Sequence, residues 1–365
     1  MNCSKKNLKF PRAKHGIVIL IDPPSYHYHK NLFFDLQTPL NRDNTLKPNF
    51  DLKESLEGAG YPVFTADMCD SIFENYEGCD FHYWSFGATS ERALNFNGKA
   101  IKKIGVILFE PPIVKPNDYK KITQLASSFE HVFLHNIIGD GYQIPVKDFS
   151  SKLIKFYWTN KNLYRTPEFD SNIKRAAKIA LIAGAHFSKA TPQNGYGKRL
   201  AAIRQLGLKG DLDLYGFGWR RIQIRSPFLS AFWLLKLWLA GLKVEKPVKK
   251  FDVYRRYDFS LCLENMSMSG YITEKIFDSI FARCIPIYWG APDIEDYIPP
   301  DCFIALHDFE DIESCFKHCR SLSTKEKESY RLAMDRFLKS KKFQKFAVGV
   351  HGYLSDFYQV DKQKA

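Results

Sequence analysis

The 365-residue chain has no run of 18 or more apolar residues, so it offers no segment able to cross a bilayer as a helix. Its opening stretch, MNCSKKNLKFPRAKHG, is basic but lacks an apolar centre, which argues against a secretory leader. None of the eight cysteines forms a Cys-x-x-Cys pair. Cys315 and Cys319, four apart, find no second His or Cys pair at zinc-finger spacing. Reduced, structural cysteines in a cytosolic setting are the expectation. Neither HExxH, the Walker P-loop nor GxGxxG is present, and zinc hydrolase, P-loop ATPase and dinucleotide oxidoreductase readings fall away together. No RRM, KH or zinc-finger pattern appears, which argues against a nucleic-acid-binding protein.

Aromatic and basic residues are abundant instead. Hydrophobic residues at 45% suffice for globular packing, and the length points to two domains rather than one. Lysine and arginine outnumber aspartate and glutamate by 53 − 40 = 13. A surplus of that size suits nucleotide phosphates, other polyanions or an anionic membrane face, without choosing among them.

The chain repeats one cadence. HGIVILID (15–22), CDFHYWSFG (79–87), IGVILFEPP (104–112) and FEHVFLHN (129–136) read as buried strands. FDLKESLEGAGYPVFTAD (50–67) reads as helix, glycine stop and strand, and 117–128 as a helix. After a connection near 153–174 the pattern resumes. KIALIAGAHFS (178–188) and DLDLYGFG (211–218) are strands around a helix at 195–207. YDFSLCLEN (257–265), a helix from about Ile272, CIPIYWG (284–290), CFIAL (302–306) and a basic helical region follow. Alternation of this kind predicts α/β architecture with mostly parallel sheets. The expected domains are 1–160 and 161–345, with a tail at 346–365 returning to the first. The segment 226–257 departs from the cadence, with an aromatic-rich helix leading into Lys243, Lys246, Lys249, Lys250, Arg255 and Arg256. It reads equally as a membrane-interface helix or as a helix packed on the sheet.

Chemistry concentrates where a strand should hand over to a helix. Glu264 and Asn265 close the 257–265 strand, and Tyr271, Glu274 and Lys275 open the next helix. Open α/β sheets bind ligands at such strand ends, and free N–H groups at a helix start favour phosphate. Each residue alone reads as helix capping or surface charge; five within twelve positions read as a site. Lys198 and Arg199 open a second helix after a Gly-, Pro- and Asn-rich loop, and an arginine fork suits bidentate phosphate binding.

The stretch YDFSLCLENMSMSGYITEKIFDSIFARCIPIYWGAP resembles the signature of the α-1,3/4-fucosyltransferases, glycosyltransferase family 10, in the form found in soluble bacterial members. The resemblance implies a GT-B fold, two Rossmann-like domains facing a cleft, with GDP-fucose held mainly by the second. It implies that Asn265, Tyr271, Glu274 and Lys275 line the donor site beside Glu264 and Lys198. Lys275 and Arg199 would serve the diphosphate, and Glu274 a ribose or fucose hydroxyl. Glu110, in FEPP after a first-domain strand, matches the family's catalytic base, with Asp22 before Pro23–Pro24 as a rival. The implied reaction is inverting transfer of fucose to a glycan hydroxyl, α-1,3 to GlcNAc or Glc of a surface polysaccharide or lipopolysaccharide. Another GDP-sugar is the alternative donor. No cofactor or bound metal is implied, a divalent Mn²⁺ or Mg²⁺ being at most a stimulant. The Asp211-x-Asp213 pair is read as structural, and His27 and His29 as surface-loop residues. The expected location is cytoplasmic, with peripheral contact on the inner membrane face through 226–257.

Overall fold

A computed structural model describes residues 10–98, 100–139, 142–144, 149–158, 173–185, 193–217, 219, 244–245 and 249–359. The chain divides into two compact units: residues 1–161 with 348–365, and residues 162–347.

In the first unit the β-branched run IVILID forms β1 (Ile17–Asp22), buried at every position after Ile17. With β2 (Val63–Thr65), β3 (Asp80–Phe86), β4 (Ile101–Ile107), β5 (His131–Leu134) and β6 (Leu153–Lys155) it makes a six-stranded sheet. The order is β2-β1-β3-β4-β5-β6 and every pairing is parallel. Both faces are covered, which is why the strands read as continuous apolar runs. Val18, Leu20, Phe81, Tyr83 and Val106 belong to one core. Ile19, Ile21, Trp84, Phe86 and Ile107 belong to the other, together with Val350, Leu354 and Tyr358 from the far end of the chain.

That return is specific as well as apolar. Trp84 Nε1 donates to the Tyr358 hydroxyl at 2.9 Å, and the same hydroxyl lies 3.0 Å from His82 Nδ1. His351 Nε2 pairs with Asn49 Oδ1 at 2.8 Å. The chain enters this unit along the helix Lys341–Phe357, which breaks at Gly349 (φ 45°, ψ −145°), in the positive-φ half of backbone space that glycine enters without a Cβ penalty.

The second unit carries β7 (Ala176–Ile182), β8 (Leu212–Tyr215), β9 (Val244–Glu245), β10 (Tyr257–Leu263), β11 (Ile285–Trp289) and β12 (Ile304–Ala305). Its order, β12-β11-β10-β7-β8-β9, is again parallel throughout. The chain fills one side of β7 first and then crosses to place β10 on the other. That reversal opens a crevice beyond the carboxyl ends of β7 and β10, the place where sheets of this kind bind ligands.

Several boundaries differ from the sequence reading. β4 stops at Ile107, so Glu110 stands three residues beyond the strand. The expected helix at 117–128 is two short ones, Pro116–Lys120 and Ile122–Ser128, because Lys121 adopts non-helical angles between them. Leu153–Lys155, read as the start of a connection, is an edge strand on β5. The aromatic-rich stretch 226–243 and residues 246–248 lie outside the described residues. Among the described residues, no helix is long and apolar enough to cross a membrane.

Candidate active site at the crevice beside strand β10

All seven residues of β10 are buried, as expected of an interior strand. Its ladder with β11 continues one step further, where the Glu264 N–H donates to the Trp289 carbonyl at 2.9 Å. The Glu264 side chain is fully buried, and its carboxylate gathers the start of the next helix. Oε1 accepts from the Thr273 N–H at 2.8 Å. Oε2 accepts from the Thr273 hydroxyl at 2.8 Å and from Lys275 Nζ at 2.9 Å. Thr273 precedes the helix Glu274–Phe281 without capping it by its own side chain. Glu264 therefore organises this helix entry from the strand, and its oxygens are committed to that task. Burial opposes the Lys275 charge, but Glu264 and Glu274 outweigh it and raise the pKa of the ammonium above its ordinary value.

The remaining residues of the stretch take distinct places. Asn265 is half-buried, and its carbonyl accepts from the Gly195 N–H at 3.1 Å. Gly270 (φ +73°) turns the loop and donates its N–H to Asp293 Oδ1 at 2.8 Å. Tyr271 is buried. Glu274 is half-buried and lies 3.7 Å from Lys250 Nζ, which also holds Asp278 at 2.8 Å.

The helix Gly195–Gln205 forms the other wall. Asn194 caps it, its side chain accepting from the Tyr196 N–H at 2.7 Å. The entry is stitched to the 264–267 segment by an Asn194–Met266 bridge and by the Ser267 N–H donating to the Gln193 carbonyl at 2.9 Å. The approach is so close that a Cβ on Gly195 would overlap the Glu264 carbonyl oxygen. Gly290 is held in the same way, since a Cβ there would strike Glu264 Cγ and the Tyr288 hydroxyl.

Arg199 is the decisive residue. Only 4% exposed, its guanidinium donates to the carbonyls of Leu263 and Gly184, each at 3.5 Å, at the ends of β10 and β7. Its buried Nε has no hydrogen-bond partner among the described residues. No carboxylate lies within ion-pair distance of it among the described residues. Desolvation lowers its pKa, while Tyr196, Glu264 and Tyr271 act in the opposite direction. A buried cation with two long hydrogen bonds and one unmet donor is costly to keep charged, and an anion placed beside it would offset that cost. Lys198, the residue before it, is exposed, and its Nζ stands 5.1 Å above the Trp289 ring.

The second unit thus brings Arg199, Lys275, Glu264, Asn265 and Tyr271 together at one crevice, with Lys198 at the opening of its Gly195–Gln205 wall and Glu274 turned toward Lys250. Glu110 belongs to the first unit. It is half-buried, and its backbone carbonyl accepts from the Tyr119 hydroxyl at 2.9 Å. Asp22, the rival base, is fully engaged. Arg92 grips both its oxygens (3.0 and 2.6 Å) and the Tyr83 hydroxyl donates at 2.7 Å. Asp211 and Asp213 do not converge. Asp211 faces Arg320 at 3.5 Å and lies outside the strand, whereas Asp213 accepts from Tyr257 at 2.7 Å and faces Lys178 at 3.5 Å. His131 and His135 show a four-residue spacing, but they follow a strand, which holds them far apart. Among the described residues no cluster of His, Cys, Asp or Glu could hold a metal. Sequence reasoning missed Asn194, Gly195, Asp293 and Trp289. Of these only the glycine-rich loop before Lys198 carried a signal.

Residues 183–344 match the model for "Glycosyltransferase family 10 (fucosyltransferase) C-term". Over that stretch the chain is similar to the C-terminal part of family 10 glycosyltransferases. The match covers the whole crevice, including Arg199 and the 264–275 turn. A 75-residue stretch is 39% identical to the alpha-(1,3)-fucosyltransferase FucT of Helicobacter pylori, covering 20% of this chain and 16% of that relative's length. Fold likeness reaches further. A crystal structure of an alpha1,3-fucosyltransferase aligns over 94% of this chain and 88% of its own, at 15% identity and a TM-score of 0.50. An alpha-glucosyltransferase bound to UDP and DNA aligns over 94% and 99%, at 12% identity and a TM-score of 0.54. The two parallel α/β sheets are those of a GT-B-like fold, and the residues matched to family 10 fall within the second unit.

Proposed function

We propose that the protein transfers fucose from GDP-fucose to a hydroxyl of a glycan acceptor, with inversion, and that the crevice beside β10 holds the donor. The observation that carries this reading is Arg199, buried at the switch point of the stretch matched to family 10, with no carboxylate within ion-pair distance among the described residues. In this reading Arg199 and Lys275 grip the diphosphate, with Lys198 adding charge at the mouth. Glu274 accepts from a ribose or fucose hydroxyl, Asn265 and Tyr271 line the pocket, and Glu264 holds Lys275 and the helix start in place. Residues 161–345 then form the donor domain and residues 1–160 the acceptor domain, with 346–365 serving the first.

The step itself is a displacement at the anomeric carbon. An acceptor oxygen forms the new bond as the bond to the β-phosphate oxygen breaks. The acceptor proton passes to Glu110, and GDP leaves with its developing charge met by Arg199 and Lys275. Asp22 is a poor alternative base, because Arg92 and Tyr83 already occupy its oxygens. No metal or further cofactor has a role in this scheme, and nucleic acid is not a partner. The acceptor is proposed to be GlcNAc or Glc in a surface polysaccharide or lipopolysaccharide, fucosylated α-1,3 at the inner membrane face. Exposed Lys249, Arg255 and Arg256 support the membrane contact.

A second reading keeps the chemistry and changes the sugar, because the residues around Arg199 address phosphate rather than the sugar ring. The test is to incubate the purified chain with GDP-fucose, other GDP-sugars and UDP-sugars over a glycan array. Transfer from GDP-fucose is expected. Transfer confined to UDP-sugars would overturn the proposal, and transfer from a different GDP-sugar would select the second reading.

A further inference from the structure

The two cations that open the Gly195–Gln205 helix differ from the other lysines of the crevice. Lys275 is bonded to Glu264 and Lys250 to Asp278. Lys198 and Arg199 have no carboxylate within ion-pair distance among the described residues. Each instead lies over a ring, Lys198 Nζ 5.1 Å from the centroid of Trp289 and Arg199 Cζ 5.2 Å from that of Tyr196. Helix stability does not explain them, since the N-terminal end of a helix carries the positive end of the backbone dipole and does not favour cations. An aromatic face orients a cation without neutralising it, so the full charge stays available to an anion.

The ring under Lys198 is itself fixed. The Trp289 carbonyl accepts from the Glu264 N–H at 2.9 Å, and its Cζ3 lies 3.1 Å from the position a Gly195 Cβ would take. Gly290, which follows, tolerates no side chain against Glu264. The indole is therefore built into the same junction that positions Glu264 and the helix entry.

We infer that Trp289 is a positioning residue for phosphate recognition. Its indole seats Lys198 at the mouth of the crevice, and the seated ammonium selects a nucleoside diphosphate over a monophosphate. This rests on the donor reading proposed above. Arg199, held deep at the strand ends, meets one phosphate in any nucleotide, and Lys198, outside it on the same turn, meets the second.

Calorimetric titration of GDP and GMP into the full chain tests the idea, using wild type, Lys198→Met, Trp289→Leu, the double variant and Trp289→Phe. Both single variants are expected to lose about tenfold in GDP affinity with GMP binding changed less than about twofold. The double variant should be no weaker than either single one, because the indole acts through the lysine. Trp289→Phe, which keeps a ring, should fall between wild type and Trp289→Leu. Equal loss of GDP and GMP affinity in Trp289→Leu would reveal a general structural role and overturn the inference. Single-variant losses that multiply in the double variant would overturn it as well. Wild type that binds no GDP would end the donor reading and this inference together, whereas GDP binding with multiplying losses would end this inference alone.

Discussion

Lys275 Nζ lies 2.9 Å from Glu264 Oε2, and the same carboxylate accepts the Thr273 N–H and hydroxyl, so one buried acid fixes both a cation and the helix that carries it. Removing its charge should release both. Glu264→Gln is expected to cost on the order of 3 kcal/mol, the scale of breaking a buried ion pair from one side. Urea unfolding of the variant measures it, and a midpoint equal to wild type would show that the pair is dispensable for the fold.

Arg199 predicts the opposite balance. Its guanidinium is desolvated against two long hydrogen bonds, so its burial is a cost to the empty protein. Arg199→Met should leave the melting temperature unchanged or raise it, while GDP affinity falls by at least about tenfold. A variant that both melts early and binds GDP normally would place the arginine among structural residues.

Gly195 tolerates no side chain because the Glu264 carbonyl oxygen occupies the space a Cβ would need. Gly195→Ala should therefore push the helix entry off the 264–267 segment and cost at least about 2 kcal/mol. Thermal unfolding checks the stability, and loss of GDP binding at temperatures where the variant is still folded checks the site.

Glu110 and Asp22 should separate cleanly. Asp22→Asn unpairs Arg92 and Tyr83 and should lower stability by about 2 kcal/mol. Glu110→Gln should leave both stability and GDP binding intact and abolish transfer. An active Glu110→Gln enzyme would show that another group takes the acceptor proton.

Acid should loosen the first unit. Burial pushes the His351 imidazole down to about 4, and it also lowers His82 and His131, which face the same returning segment. The native state keeps His351 neutral, while the unfolded chain protonates it near pH 6.5. Stability is thus complete above that pH and declines as the pH falls toward 4, by up to about 1.4 kcal/mol per unit from this group. Urea midpoints at pH 8, 6 and 5 should fall more steeply for wild type than for His351→Gln; parallel curves would contradict the assignment.

Much of the fold was legible because interior parallel strands write themselves as uninterrupted β-branched runs, as IVILID and YDFSLCL do. Leu153–Lys155 was not, since three half-covered residues at a sheet edge carry too little pattern to separate a strand from a connection. At the site, the acid, amide, ring and cation of 264–275 stood out by their density. Their division of labour did not. Glu264 read as a ligand contact, yet its oxygens turn inward to Thr273 and Lys275, a distinction set by which way a side chain leaves a strand end. Trp289 looked like part of an apolar strand because its contact with Lys198 joins residues 91 positions apart (289 − 198). That no carboxylate among the described residues comes within ion-pair distance of Arg199 depends on the tertiary fold, and no local window of sequence displays that.

The break at Gly349 bears on how the protein is made. Val350, Leu354 and Tyr358 complete a core whose other walls, Ile19, Trp84 and Phe133, are synthesised near the beginning. As the chain leaves the ribosome, that face of the first sheet is covered only in part, by Phe33, Phe34, Leu46, Leu52 and Leu56, until the second unit has been translated and residues 348–358 emerge. An isolated fragment ending at residue 161 should therefore expose the part of that face that Val350, Leu354 and Tyr358 cover, and aggregate, and a peptide spanning 348–358 should rescue it in trans.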